Sequence, residues 1–193
     1  MHMNHHDITA HFAPRKVPQP VVHLWNSTVE HAARDYFSVG FEWASEDPHP
    51  MLRTHSEDPD FAAGFLVFAN ALASRSKANG MDSVYAFWLE TPEHGLAETP
   101  VVAFGGEGGI QVVTRDFREF MCVLTLDAEP MVDHDGIDFY RDGEDAPSAN
   151  IAAYRRWVSE VYGLGCPGDP ESLVAQARQQ LQGRLAHWIG MYV

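Results

Sequence analysis

Residues 100–126, PVVAFGGEGGIQVVTRDFREFMCVLTL, hold two short apolar runs, a glycine turn and an amphipathic helix. Val101, Val102, Ala103 and Phe104 have the length and β-branched content of a buried strand, and Ile110 to Thr114 form a second. Between them Gly105, Gly106, Gly108 and Gly109 surround Glu107. Glycine tolerates positive φ, so the chain can reverse tightly here and pair the strands as a hairpin. A phosphate loop would need a Lys followed by Ser or Thr at the start of the next element. Ile110, Gln111 and Val112 stand there instead, and Glu107 adds negative charge, so the hairpin reading prevails. Phe117, Phe120, Met121 and Leu124 recur at i, i+3, i+4 and i+7 and predict a helix with one core face, capped by Thr114 or Asp116. Cys122 lies in this apolar helix and reads as a small buried hydrophobe rather than a nucleophile.

The 193 residues are enough for one substantial core, and two halves would each lack a staple, so a single domain is expected. Two cysteines, Cys122 and Cys166, make no disulfide framework and no clustered Cys/His spacing suggests zinc, a usage that fits a reducing compartment. The N-terminus MHMNHHDITAHF lacks the apolar core of a signal peptide, and no run approaches the ~18 apolar residues of a membrane span. A soluble, cytoplasmic protein is expected. The net charge of −14, from 27 acidic against 13 basic residues, argues against nucleic acid, because phosphate contacts need clustered Lys and Arg. It favours a basic protein partner, or serves solubility alone.

Residues 1–22 are polar, His-rich and punctuated by Pro14, Pro18 and Pro20, which predicts a loosely ordered arm ahead of a domain over 23–193. His2, His5, His6 and His11 on such an arm would bind metal only adventitiously. Ser27-Thr28-Val29-Glu30 is a capping-box pattern, and Val29, Ala32, Ala33, Tyr36 and Phe37 supply the stripe of a helix ending near Gly40. Residues 44–60 hold three prolines and read as a surface loop, 74–83 as a turn. The stretch 64–71 mixes strand and helix signals and is read as a strand; 84–89, with Tyr85, Phe87 and Trp88, is another. Ile151, Tyr154, Trp157, Val158 and Val161 keep helical spacing up to Gly163. Asp169-Pro170-Glu171 then opens a helix striped with Leu173, Val174, Ala177, Leu181, Leu185, Trp188 and Ile189. The class is α+β: a central, mainly antiparallel sheet wrapped by helices, with two long C-terminal helices.

Chemistry is hard to find. Asp133, Asp135, Asp138, Asp142, Glu144 and Asp145 form the densest acidic cluster, but an EF-hand beginning at Asp133 would need Gly where Asp138 stands. The cluster reads as a solvated loop joining two helices, and it is the first place to seek an acidic protein interface. No GxSxG, HExxH, GxGxxG or SxxK signature appears, so neither catalytic residues nor a metal or cofactor is assigned. His187 beside Trp188 reads as a surface or core residue, and the aromatic residues as core. The alternative is an enzyme or small-ligand binder with a pocket beside the glycine hairpin, using Glu107 or Asp116.

Tyr85-Ala86-Phe87-Trp88, the hairpin from Pro100 to Gly109 and the helix from Val113 to Phe120 succeed one another in an order that resembles the SUKH superfamily. These are bacterial relatives of the yeast cell-wall-assembly regulators of the Smi/Knr type. The pattern from Tyr154-Arg-Arg-Trp157-Val through Tyr162-Gly-Leu164 to Asp169-Pro170 and Trp188 is also similar to bacterial members, so the likeness spans roughly 60–190. Before Asp60 the usual family N-terminus has no clear match. The resemblance implies an α+β fold and, for many bacterial members, an immunity protein that neutralises a toxin domain, often a nuclease. No catalytic site is implied.

Overall fold

In the computed structural model, which describes residues 5–31, 37–44, 50–71, 83–90, 95–106, 108–141, 143 and 146–193, the central apolar runs bury both of their faces. The elements in chain order are α1 (His5–Phe12), α2 (Gln19–His31), β1 (Glu42–Trp43), α3 (Pro50–His55), α4 (Pro59–Ala63), β2 (Phe65–Asn70), β3 (Val84–Trp88), β4 (Val101–Phe104) and β5 (Ile110–Thr114). Then follow α5 (Phe117–Val123), β6 (Glu129–Val132), β7 (Ile137–Tyr140), α6 (Ile151–Arg156), a π turn (Trp157–Val161) and α7 (Glu171–Ile189). Strands β1 to β5 pair in sequence order, every pair antiparallel, so the meander of an α+β fold is present.

Alternation along each strand splits the core in two. Phe68, Tyr85, Phe87, Val101 and Ala103 face α1, α2, α5 and α6, while Phe65, Val67, Val84, Ala86, Trp88, Val102 and Phe104 face α3, α4 and α7. Helices on both sides explain why β2–β4 read as unbroken apolar runs rather than as alternating ones. The β2 register slips between Val67 and Ala69, and the ring of His11 lies 2.6 Å from Val67 O at that bulge. Asp116 caps α5, accepting from Glu119 N at 2.9 Å.

Several expectations are corrected. The first 22 residues are not a loose arm in their described part: Ile8 and Phe12 on α1 are each 1% exposed, and Val21 on α2 is fully buried. Helix α2 starts at Gln19 rather than after Ser27. Pro18 and Pro20 fall at its first turn, where a missing N–H costs nothing, so prolines read as loop punctuation here open a helix. Thr28, instead of capping, donates to Trp25 O at 2.8 Å and accepts from Trp43 Nε1 at 3.1 Å. Residues 32–36, which carry part of the predicted stripe, lie outside the described residues, as does most of the predicted turn at 74–83. The described part of 44–60 includes α3 and α4, the latter capped by Asp58 with Pro59 in its first turn.

Cys122 is not a lone thiol. It forms a disulfide with Cys166, tying α5 to the segment ahead of α7 across a sequence separation of 44. Of the C-terminal helices α7 runs 19 residues, whereas α6 is 6 residues extended by the π turn, after which Gly163 at φ 72° ends it. Asp169 accepts from Glu171 N at 3.2 Å, but Pro170, expected in the first turn, occupies the N-cap position of α7. Among the described residues no helix is long and apolar enough to cross a membrane.

Candidate interaction site

The acidic cluster does not join two helices: its first half is a β-hairpin. Strands β6 and β7 pair as Glu129↔Tyr140, Pro130↔Phe139, Met131↔Asp138 and Val132↔Ile137. Pro130, Val132 and Ile137 are buried on the inner side, which leaves Met131, Asp138 and Tyr140 on the outer side, with Met131 60% and Tyr140 54% exposed. The tip is an Asx turn, in which the Asp133 carboxylate accepts from Asp135 N at 2.8 Å and Gly136 N at 2.7 Å. Asp133 is therefore spent on local structure, while Asp135 and Asp138 point to solvent. Asp142, Glu144 and Asp145 lie outside the described residues.

The glycine turn between β4 and β5 is the seat of this tip. A Cβ on Gly105 would overlap Val132 O, and one on Gly109, at φ 85°, would overlap Asp133 O. Gln111 completes the joint by donating from Nε2 to Asp133 O at 2.9 Å. Backbone of 132–134 thus fills the space that a phosphate or small ligand would need beside the turn. The glycines serve close approach of two backbones as well as chain reversal. Glu107 lies outside the described residues, and Asp116 is engaged as the cap of α5, so no pocket built on this pair is described.

The base of the hairpin is closed by Asp127, which is 1% exposed and sits at φ 58° where α5 gives way to β6. Its carboxylate accepts from Val39 N at 2.8 Å, Ser148 N at 2.9 Å and Ser148 Oγ at 2.5 Å, and it pairs with Arg141. Arg141 also donates to Asp127 O at 2.8 Å and to Ala146 O. Burial pushes the Asp127 pKa up, but the donors from Ser148, Val39 and Arg141 outweigh it and hold the carboxyl below its usual value. Both ends of the segment bearing Asp142, Glu144 and Asp145 are thereby fastened to one buried group.

Near the glycine turn His55 packs edge-on against Phe104, with ring centroids 5.2 Å apart, and its Nε2 is buried without a hydrogen bond. Burial first, and the neighbouring His134 second, lower its pKa. Among the described residues no group of three or more His, Cys, Asp or Glu side chains is placed to hold a metal ion. A cleft of about 750 Å³ opens elsewhere, between the end of α1, α3, α4 and the start of β2, with Phe12, Leu52, Phe65 and Leu66 among its lining.

The contacts of Asp127 with Val39, Arg141 and Ser148 and of Gln111 with Asp133 leave no local signal in the sequence, because they span between 14 and 88 residues. The hairpin had a local signal: an Asp-Gly pair flanked by apolar residues at Pro130, Val132, Ile137 and Phe139. Comparison of the chain with protein-family models, curated proteins and solved structures returns no match.

Proposed function

We propose that this chain is a non-enzymatic, SUKH-like protein-binding domain of the immunity type, and that it neutralises a basic, nuclease-type toxin domain through the outer face of the β6–β7 hairpin. The observation that carries the reading is the composition of that face. Asp138 stands opposite Met131, Tyr140 stands two pairs further along on the same face, and Asp135 crowns the tip. An acidic surface with exposed apolar anchors can steer a basic partner electrostatically and then hold it by burying side chains. Its fixed base and seated tip limit the ordering cost of binding. The succession of the YAFW strand β3, the glycine hairpin β4–β5 and helix α5 is the order the family resemblance requires.

The test is co-expression and co-purification with any nuclease-type toxin domain that an adjacent gene encodes. Wild-type chain should co-purify with that domain and protect cells that make it; neither binding nor protection would sink the reading. A cytoplasmic setting belongs to the same proposal and carries its own requirement, because reducing cytosol keeps thiols unpaired. Cys122 and Cys166 of protein made there should titrate as free thiols, whereas an exported form should show none.

A further inference from the structure

A second cleft, of about 470 Å³, lies on the opposite side of α5 from the sheet, where α2 and the π turn meet, and Gln19, His23, Asn26, Arg118, Trp157 and Tyr162 line it. Its floor exists because the helix is wide there. Residues five apart on an α-helix point about 140° away from one another. The π turn, closed by Tyr162 N donating to Trp157 O at 2.8 Å, brings Trp157 and Tyr162 onto one side, where their rings stack 5.6 Å apart at 29°. His23 meets Tyr162 edge-on at 5.3 Å, and the Arg118 guanidinium lies 5.6 Å from the Tyr162 ring centre.

Charge and polarity select the ligand. Among the described residues no carboxylate lines the cleft, in a chain of net charge −14, and Arg118 has no ion-pair partner. Arg118 is itself hydrogen-bonded to Tyr162, and Asp116, whose field also reaches that ring, is engaged at the α5 N-terminus. The other polar groups at hand, the Gln19 and Asn26 carboxamides, the His23 ring and the Ser27 hydroxyl, can each donate a hydrogen bond. Cys122 follows Arg118 by one turn of α5 and Cys166 follows Tyr162 by four residues, so the bridge, where it is formed, ties the two parts together, and the packing of the rings holds them where it is reduced.

We propose that this cleft binds a small aromatic carboxylate, its ring on Trp157 and Tyr162 and its carboxylate on Arg118. The site is separate from the acidic hairpin and does not depend on the function assigned to it. A ligand of this size binds with a Kd of about a millimolar. Titration of the ¹⁵N-labelled full chain with 4-hydroxybenzoate, followed at the Trp157 indole N–H assigned through Trp157→Phe, should give a saturable shift. Benzylamine, which keeps the ring and reverses the charge, should not saturate it. Arg118→Gln should weaken 4-hydroxybenzoate by about tenfold, and Arg118→Lys, which keeps charge but loses the planar fork, by less. The proposal is overturned if the wild type shows no saturable shift, if benzylamine binds as well, or if a folded Arg118→Gln or Arg118→Lys chain follows a different order.

Discussion

Arg141 and Asp127 form an ion pair at the foot of the β6–β7 hairpin, and the Asp127 end of it is almost wholly buried. Removing Asp127 leaves the buried donors of Val39 and Ser148 without their acceptor and the half-buried Arg141 guanidinium without its counter-charge. Asp127→Ala should cost about 3–5 kcal/mol. Urea unfolding should show it as a lowered midpoint, and a loss under about 1 kcal/mol would mean that the network is dispensable.

The same carboxylate sets an acid limb. Its folded pKa is lowered from 3.8, so its stabilisation is complete above about pH 4 and is lost as pH falls through the still lower folded value. Asp127→Asn should flatten the stability curve below pH 4 relative to wild type. An unchanged slope there would assign the acid sensitivity to other groups.

His55 acts in a different window and with the opposite charge. Its folded pKa is lowered from 6.5, so the unfolded chain takes up the proton first and stability falls as pH drops from above 6.5 towards the folded value. His55→Gln should remove that part of the fall. Thermal melts between pH 7.5 and 5 check it, and parallel curves for the two proteins would exclude the effect.

At the tip, Gly109→Ala places a Cβ against Asp133 O in a left-handed backbone. A loss of at least ~2 kcal/mol is expected, or a fall in Tm of about 4–8 °C. Amide exchange should quicken first across Met131 to Phe139 if the hairpin lifts from the sheet. Uniform quickening over β2–β5 would contradict a local joint.

The disulfide closes a loop of some 44 residues, which in the chain-entropy account stabilises by about 4 kcal/mol, with about 2–4 typical of measured bridges. Cys122→Ser/Cys166→Ser, or reduction of the wild type, should lower the urea midpoint accordingly. Matched midpoints with and without reductant would remove the bridge as a source of stability.

The sheet and α5 could be read from the sequence because their signals are local: apolar runs at 84–88, 101–104 and 110–114, and the spacing of Phe117, Phe120 and Met121. The start of α2 was hidden by Pro18 and Pro20, whose breaking tendency depends on whether they stand inside a helix or at its first turn. The β6–β7 hairpin was hidden by its charge, since Asp133, Asp135 and Asp138 outweighed the alternate burial of Pro130, Val132 and Ile137. Spacing says nothing of whether two cysteines 44 residues apart meet in space. The seating of Asp133 on Gly109 likewise belongs to tertiary structure, and there the glycine turn takes on a second use.

Binding through the β6–β7 hairpin is measured most directly as the association rate with a nuclease-type toxin domain of the proposed kind, taken over a range of salt for wild type and for Asp135→Lys/Asp138→Lys. Both substituted positions are exposed and lie outside the Asp127 network, so the variant should fold normally. The variant should associate about tenfold more slowly at low salt, with a flatter salt dependence. An unchanged rate and salt slope in the variant would contradict it and move the interface away from the β6–β7 hairpin.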